Sequence, residues 1–173
     1  SGSSGEERQG FKFKFLDHFQ EYMDKLKLDF PKLVVSGDYN ICHRPIDIHN
    51  PKSNANSSGF LPAEREWMEN FMNTGFIDSF RHFNQEPHNY TWWSFRSGAR
   101  NRNLGWRIDY NMITEGLRDN LKRAVIFANG ELKDLNAARA VLEGHDCIIA
   151  ADGGSRHCRA LANGVGAALK TQQ

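Results

Sequence analysis

Two acids and an amide sit where strand-forming runs end. In "LVVSGDYN" the apolar run Leu33-Val34-Val35 gives way to Gly37, Asp38 and Asn40, and in "GWRIDYNMI" Asp109 is a lone carboxylate among strand formers. In open α/β sheets, ligands bind at the carboxyl ends of strands. A carboxylate there can orient or deprotonate water, and an amide can steady charge developing on a phosphoryl group. Oxygen donors of this kind suit a hard cation such as Mg²⁺, which takes one or two protein carboxylates and completes its shell with water and phosphate. Each acid also has a plainer reading. Asp38 and Asn40 can form a turn that bonds only local backbone, and Asp109 can pair with the nearby Arg107.

The elements that must hold these groups follow from periodicity. "FLDHFQEYMDKLKL" predicts an amphipathic helix over 15–28, with Phe15, Phe19, Tyr22, Met23 and Leu26 on its apolar side. Leu33 to Val35 then reads as a buried strand. A long polar stretch, "ICHRPIDIHNPKSNANSSGF", reads as a functional or disordered loop. "LPAEREWMENFMNTGF" predicts a second helix with Pro62 in its first turn, a stripe of Trp67, Phe71 and Met72, and a stop at Gly75. "NYTWWSF" and "GWRIDYNMIT", joined by the basic "RSGARNRNL", have the pattern of a hairpin. Arg100 and Arg102 in that link can meet phosphates or simply be solvated.

The chain changes character near Ala124 to Ile126. "RAVIFANG", "DLNAARAVLEG", "DCIIAADGG" and "SRHCRALAN" alternate as β-α-β-α, alanine-rich and poor in aromatics, as in a parallel sheet. The 173 residues, 39% of them hydrophobic, suffice for one domain and a piece of another. A formal net charge of +1 gives no global field toward nucleic acid or membrane. Three scattered cysteines, Cys42, Cys147 and Cys158, suggest reduced thiols and a cytoplasmic setting. No stretch has the length of a membrane span or the look of a signal peptide, and "SGSSG" at 1–5 reads as a tag remnant.

From about Phe11 to Ile126 the sequence resembles the carboxyl-terminal half of the exonuclease III family of apurinic/apyrimidinic endonucleases. "SGDYNICHRPIDIHNPKSN", "GFLPAEREWMENF", "GFIDSFRHFN", "YTWWSFRSGARNRNLGWRIDY" and "LRDNLKRAVI" follow it in order and spacing. The resemblance implies an α/β fold, half of an endonuclease/exonuclease/phosphatase-type sandwich, and Mg²⁺- or Mn²⁺-dependent cleavage of DNA at abasic sites. It implies that Asp38 activates the attacking water or protonates the leaving group, that Asn40 contacts the scissile phosphate, and that Asp109 orients a catalytic histidine. Asn54 matches a DNA-phosphate contact, and Trp92, Trp106 and Ile108 match the lining of a pocket for the extruded abasic sugar. The family's amino-terminal half, with its metal-binding asparagine and glutamate, has no counterpart. The closing "SDHxP" motif is missing too, and His145 in "EGHDC" does not replace it, so the metal ligands stay unassigned.

The segment after the boundary resembles the opening of thiamine pyrophosphokinase, with "NGEL" after one strand and "ADGG" after the next. That likeness implies a nucleotide contact at Asp152, Gly153 and Gly154, although two glycines serve a tight turn equally well. The kinase's "GDxDS" motif is absent, and diphosphokinase activity is not expected. The expected organisation is therefore a tag remnant over 1–5, an endonuclease-like half domain over 6–126, a β-α-β-α fragment over 127–164 and a tail over 165–173. The whole reads as a chimera, engineered or selected, either impaired as a nuclease or without evolved function. Its open sheet face can be covered by the appended β-α-β-α unit or by a second chain, in a homodimer that mimics the intact sandwich.

Overall fold

A computed structural model describes residues 6–122, 124–127 and 147–150. It is an α/β fold, as expected. Helix α1 (Glu6–Asp29) leads to strand β1 (Val34–Asp38), helix α2 (Pro62–Asn73), strand β2 (Phe76–Asp78) and the short helix α3 (Ser79–Phe83). Strands β3 (Trp92–Trp93) and β4 (Gly105–Trp106) form a small ribbon, and β5 (Asp109–Thr114) follows. Strands β6 (Ala124–Phe127) and β7 (Cys147–Ala150) pair in parallel.

The main sheet has the order β1-β5-β2 and both of its pairings are antiparallel. The expectation of a buried β1 is therefore corrected. It is an outer strand, exposed at every position but half-buried Val35, because its one described neighbour is β5. Strand alternation sends Val35 and Gly37 to the face of Tyr110 and Met112, and Asp38 to the face of Asp109. On the first face α1 and α2 build the core, where Leu16, Met23, Trp67, Met68, Phe71, Phe76, Tyr110 and Met112 are buried together. Phe71 lies at its centre, stacked on Trp67 at 5.3 Å and on Phe76 at 4.5 Å between ring centroids.

Helix α1 begins nine residues before the predicted Phe15, and its buried side differs from the expected one. Leu16 and Met23 are buried, with Phe19 and Leu26 packed against the core, whereas Phe15 and Tyr22 face outward. The predicted stripe combined two neighbouring faces of one helix, and the core takes only one. Helix α2 ends as expected: Gly75 lies at φ +103° and donates its N–H to the Met72 carbonyl. The predicted hairpin is reduced to β3 and β4, since residues 109–114 leave the ribbon and cross into the main sheet as β5.

The polar loop after Asn40 is ordered. Ile41, Cys42, His43, Asp47, Ile48 and Phe60 are buried in it, and Pro45–Asp47 forms a 3₁₀ turn. Its anchor is a charge cluster not anticipated from sequence. Asp47 accepts from Arg107 Nε at 2.7 Å and Arg81 Nε at 2.9 Å, and Arg107 Nη2 reaches Asp78 at 2.6 Å. Asp78 also caps α3 through the N–H groups of Phe80 and Arg81. No described helix is long and apolar enough to cross a membrane. The predicted helices over 134–144 and 155–163, His145, and the Asp152-Gly153-Gly154 turn lie outside the described residues.

Candidate active site

The antiparallel register brings the two predicted acids together. Asp38 at the end of β1 and Asp109 at the start of β5 are direct cross-strand partners. Directly opposed residues have Cβ atoms about 4.5–5.5 Å apart, and like charges so placed repel unless a cation or proton intervenes. The next pair is fixed by Tyr39, whose N–H donates to the Ile108 carbonyl at 2.9 Å. The local turn foreseen for Asp38 forms as well: Oδ1 accepts from the Asn40 N–H at 2.7 Å. The turn holds Asn40 at φ +52°, a left-handed conformation that asparagine tolerates better than most residues.

Asn40 is held from behind. Lys12 Nζ donates to its carbonyl at 2.9 Å and to Glu64 Oε1 at 2.6 Å. Glu64 is fully buried, and its other oxygen takes the Gly59 N–H at 2.6 Å and the Leu61 N–H at 2.9 Å. Gly59 sits at φ +94°, where a Cβ would come within 3.0 Å of the Trp106 ring and 3.2 Å of the Asn40 carbonyl oxygen. Sequence reasoning missed Lys12 and Glu64. The available signal was the buried-helix start "LPAE", with an acid at the third helical position.

The apolar wall of the site comes from the ribbon. Trp92 and Trp106 pair across β3 and β4, their rings edge to face at 6.3 Å. Both pack with Ile108 against buried Cys42, Ile48 and Phe60. Arg107, between the two wall residues, turns inward. Its pairing with Asp47 and Asp78 answers the alternative reading of Asp109: the guanidinium has other partners. Burial opposes its charge, but the Asp78 and Asp47 carboxylates prevail and raise its pKa, and the guanidinium lies 4.3 Å from the Tyr110 ring centre. Gly105 is required in the same place, since a Cβ there would meet Trp93 Nε1 at 2.5 Å and Tyr90 Cβ at 2.7 Å.

The remaining predicted residues are more peripheral. Asn54 directs its side-chain amide to the loop's own carbonyls, His49 at 3.0 Å and Asn50 at 3.1 Å. Arg100 is exposed with its guanidinium 4.6 Å from the Trp93 ring centre, and Arg102 donates to the Ser97 carbonyl at 2.8 Å. Phe95, just before that link, is 94% exposed, an unusual position for a large apolar side chain and one the sequence pattern did not single out. Asp38, Asn40 and Asp109 offer only oxygen donors, which fits Mg²⁺ or Mn²⁺ in kind. Among the described residues no three His, Cys, Asp or Glu side chains cluster as a metal site. A cation held by these residues would therefore draw its other ligands from water and phosphate.

The chain also resembles known proteins. The chain is 42% identical over 127 residues to an exodeoxyribonuclease of Bacillus subtilis, covering 72% of this chain and 50% of that one. It is 40% identical over 124 residues to a DNA-(apurinic or apyrimidinic site) endonuclease of Dictyostelium discoideum, covering 70% and 34%. The AP endonuclease LMAP from Leishmania major superposes with a TM-score of 0.64 and 29% identity over 69% of this chain and 40% of that chain. The chain thus spans half or less of the length of these relatives. Residues 14–129 match the model of the endonuclease/exonuclease/phosphatase family, and the chain belongs to that family.

Proposed function

We propose that this chain carries part of a DNA phosphodiesterase site of the abasic-endonuclease and exodeoxyribonuclease kind, strongly impaired when the chain acts alone. The observation that carries the reading is the Asp38–Asp109 cross-strand pair, with Asn40 beside it and the Trp92, Trp106 and Ile108 wall attached through β4 and β5. In this reading Asp38 takes or returns a proton at the phosphoryl centre, and Asn40 donates its amide to a phosphate oxygen. Asp109 positions a neighbouring group. The wall receives a sugar without a base, which leaves the stack at least cost. A divalent cation, when bound, supplies electrostatic stabilisation of charge on the phosphate. Impairment follows from the ligands that the resemblance assigns to the other half of the relatives. Each 1.36 kcal/mol of lost transition-state stabilisation costs about tenfold in rate.

The test is nicking of a duplex bearing one abasic site, with Mg²⁺ and with EDTA, alongside Asp38→Ala and Asp109→Ala. Cleavage is expected to depend on the metal and to vanish in Asp38→Ala, at a rate on the order of 10³-fold below that of a full-length relative. Cleavage that survives Asp38→Ala sinks the proposed role, and equal affinity for abasic and intact duplexes sinks the pocket. A second reading is a folded chimera without enzymatic function. That reading expects neither nicking nor ATP binding at 152–154.

A further inference from the structure

The Glu64 carboxylate ties together segments that meet nowhere else in the sequence. It is fully buried on α2, and each of its oxygens has partners. Oε1 accepts from Lys12 Nζ at 2.6 Å and from Gln9 Nε2 at 3.0 Å, both on α1. Oε2 accepts from the Gly59 N–H at 2.6 Å and the Leu61 N–H at 2.9 Å. The Leu61 bond serves the start of α2 itself. The Lys12 and Gly59 bonds lead away from the helix and approach the candidate site from two sides.

One route ends at Asn40. Lys12, a mostly buried lysine, divides its ammonium between Glu64 and the Asn40 carbonyl at 2.9 Å. The Asn40 N–H donates to Asp38 Oδ1 at 2.7 Å, so a charged side chain clamps the residue on each side of its Cα. These bonds hold φ at +52° and so fix the direction of the Asn40 Cβ. The other route ends at Trp106. The Gly59 N–H is on Glu64, and the Gly59 carbonyl takes the Cys42 N–H at 2.7 Å. Held there, Gly59 fits between the Trp106 ring and the Asn40 carbonyl, which a Cβ would approach to 3.0 and 3.2 Å. One buried carboxylate thereby sets the spacing between the amide assigned to the phosphate and the wall assigned to the sugar.

We propose that Glu64 and Lys12 are positioning residues for phosphodiester cleavage: Glu64 registers Asn40, through Lys12, against the Trp106 wall that it seats through Gly59. The inference rests on the reading of Asn40 as a phosphate-contacting amide and of Trp106 as pocket wall. Lys12 and Glu64 act on the reaction only through those two residues. Misplacing a group by about 1 Å can cost on the order of 10²-fold in rate. A donor aimed at developing charge acts in the transition state more than in binding. Loss of Lys12 should therefore slow cleavage and spare affinity. Gln9 supplies the internal comparison. It bonds the same Glu64 oxygen from one turn earlier on α1 and takes the Ser58 hydroxyl, whereas the bond to the Asn40 carbonyl comes from Lys12.

Two readouts on the full chain test it. In single-turnover nicking of a duplex bearing one abasic site, with Mg²⁺, Lys12→Met should lower the maximal rate at least about tenfold and move half-saturation by less than about twofold. Gln9→Leu should stay within about twofold of wild type in both. Lys12→Met combined with Glu64→Gln should cost no more than Lys12→Met alone, because the route to Asn40 is already cut. The double variant also removes the stranded buried charge, and decides should Lys12→Met fail to fold. In NMR spectra the Asn40 Cα, Cβ and side-chain amide resonances should move in Lys12→Met and hold in Gln9→Leu. An unchanged maximal rate overturns the proposal. So does a loss confined to half-saturation, since Lys12 then only attracts DNA, and so do Asn40 resonances that Gln9→Leu moves as far as Lys12→Met. A wild-type chain that does not nick overturns the functional reading of the site instead, and the Asn40 resonances then decide alone whether Lys12 sets this residue.

Discussion

Replacing Asp47 by alanine probes the cluster that anchors the ordered loop under the site. One carboxylate oxygen receives Arg107 Nε at 2.7 Å and Arg81 Nη2 at 2.8 Å, and the other receives the Arg44 N–H at 2.9 Å. Without it, the Arg107 guanidinium keeps Asp78, and that of Arg81 keeps only the Ile46, Asn84 and Glu86 carbonyls. Breaking a buried pair from one side costs roughly 3–5 kcal/mol, because the remaining charge stays buried. The orphaned Arg44 amide adds up to about 1 kcal/mol. With a urea slope of about 2 kcal/mol/M, the unfolding midpoint read by tryptophan fluorescence should fall by about 2 M. Adding Arg107→Met should cost less than the sum of the single changes, since the stranded cation goes with it. The pH dependence has a definite sign. Burial raises the Asp47 pKa, but Arg107 and Arg81 outweigh burial and hold it below the ordinary carboxylate value. Its contribution is then fully present above about pH 3.9 and is lost as pH falls through the lower folded value. A loss below about 1 kcal/mol at pH 7, or a gap between wild type and variant that closes near pH 6, would refute the reasoning.

Other consequences are open to direct measurement. Phe71→Ala should cost about 3–5 kcal/mol in urea unfolding, because it empties the centre of the aromatic stack. Gly105→Ala should destabilise by at least about 1–3 kcal/mol and diminish the near-ultraviolet dichroism of the Trp92–Trp106 pair. His43 is buried, which lowers its pKa, and the Glu69 carboxylate at 2.7 Å only partly offsets this. Its folded state favours the neutral ring, so stability should begin to fall as pH drops below the unfolded value of about 6.5 and level off beneath the folded one. Histidine ring resonances followed by NMR would report that titration, and Glu69→Gln should move it lower still.

The acids at strand ends were legible because a lone carboxylate in an apolar run is costly without a purpose, and the antiparallel register does bring Asp38 and Asp109 together. Helix α2 was legible from its proline start and glycine stop. The antiparallel pairing itself was not, since a run as short as Leu33 to Val35 carries no information about its neighbour. The loop after Asn40 looked polar because its buried residues, Ile41, Cys42, Ile48 and Phe60, are spaced irregularly and match no helical or strand period. Arg107 was misjudged through proximity in sequence: the partners that matter, Asp47 and Asp78, are 60 and 29 residues away. Nothing in the helix pattern singled out Glu64, whose burial comes with the tertiary approach of Lys12 and of the Gly59 amide.

The pairing of Val34 with Ile113 sets the order in which this molecule can fold. Helices α1 and α2 lie within one stretch and can pack on each other, whereas β1 and the loop anchored on Arg107 must wait for residues at the far end of the described chain. Loop closure of that span has to precede any reward from the β1–β5 ladder. During synthesis Asp38 emerges long before Asp109, so the carboxylate pair is among the last features to form. Hydrogen exchange of the β1 amides facing β5, followed during refolding, should lag behind protection of the α2 amides.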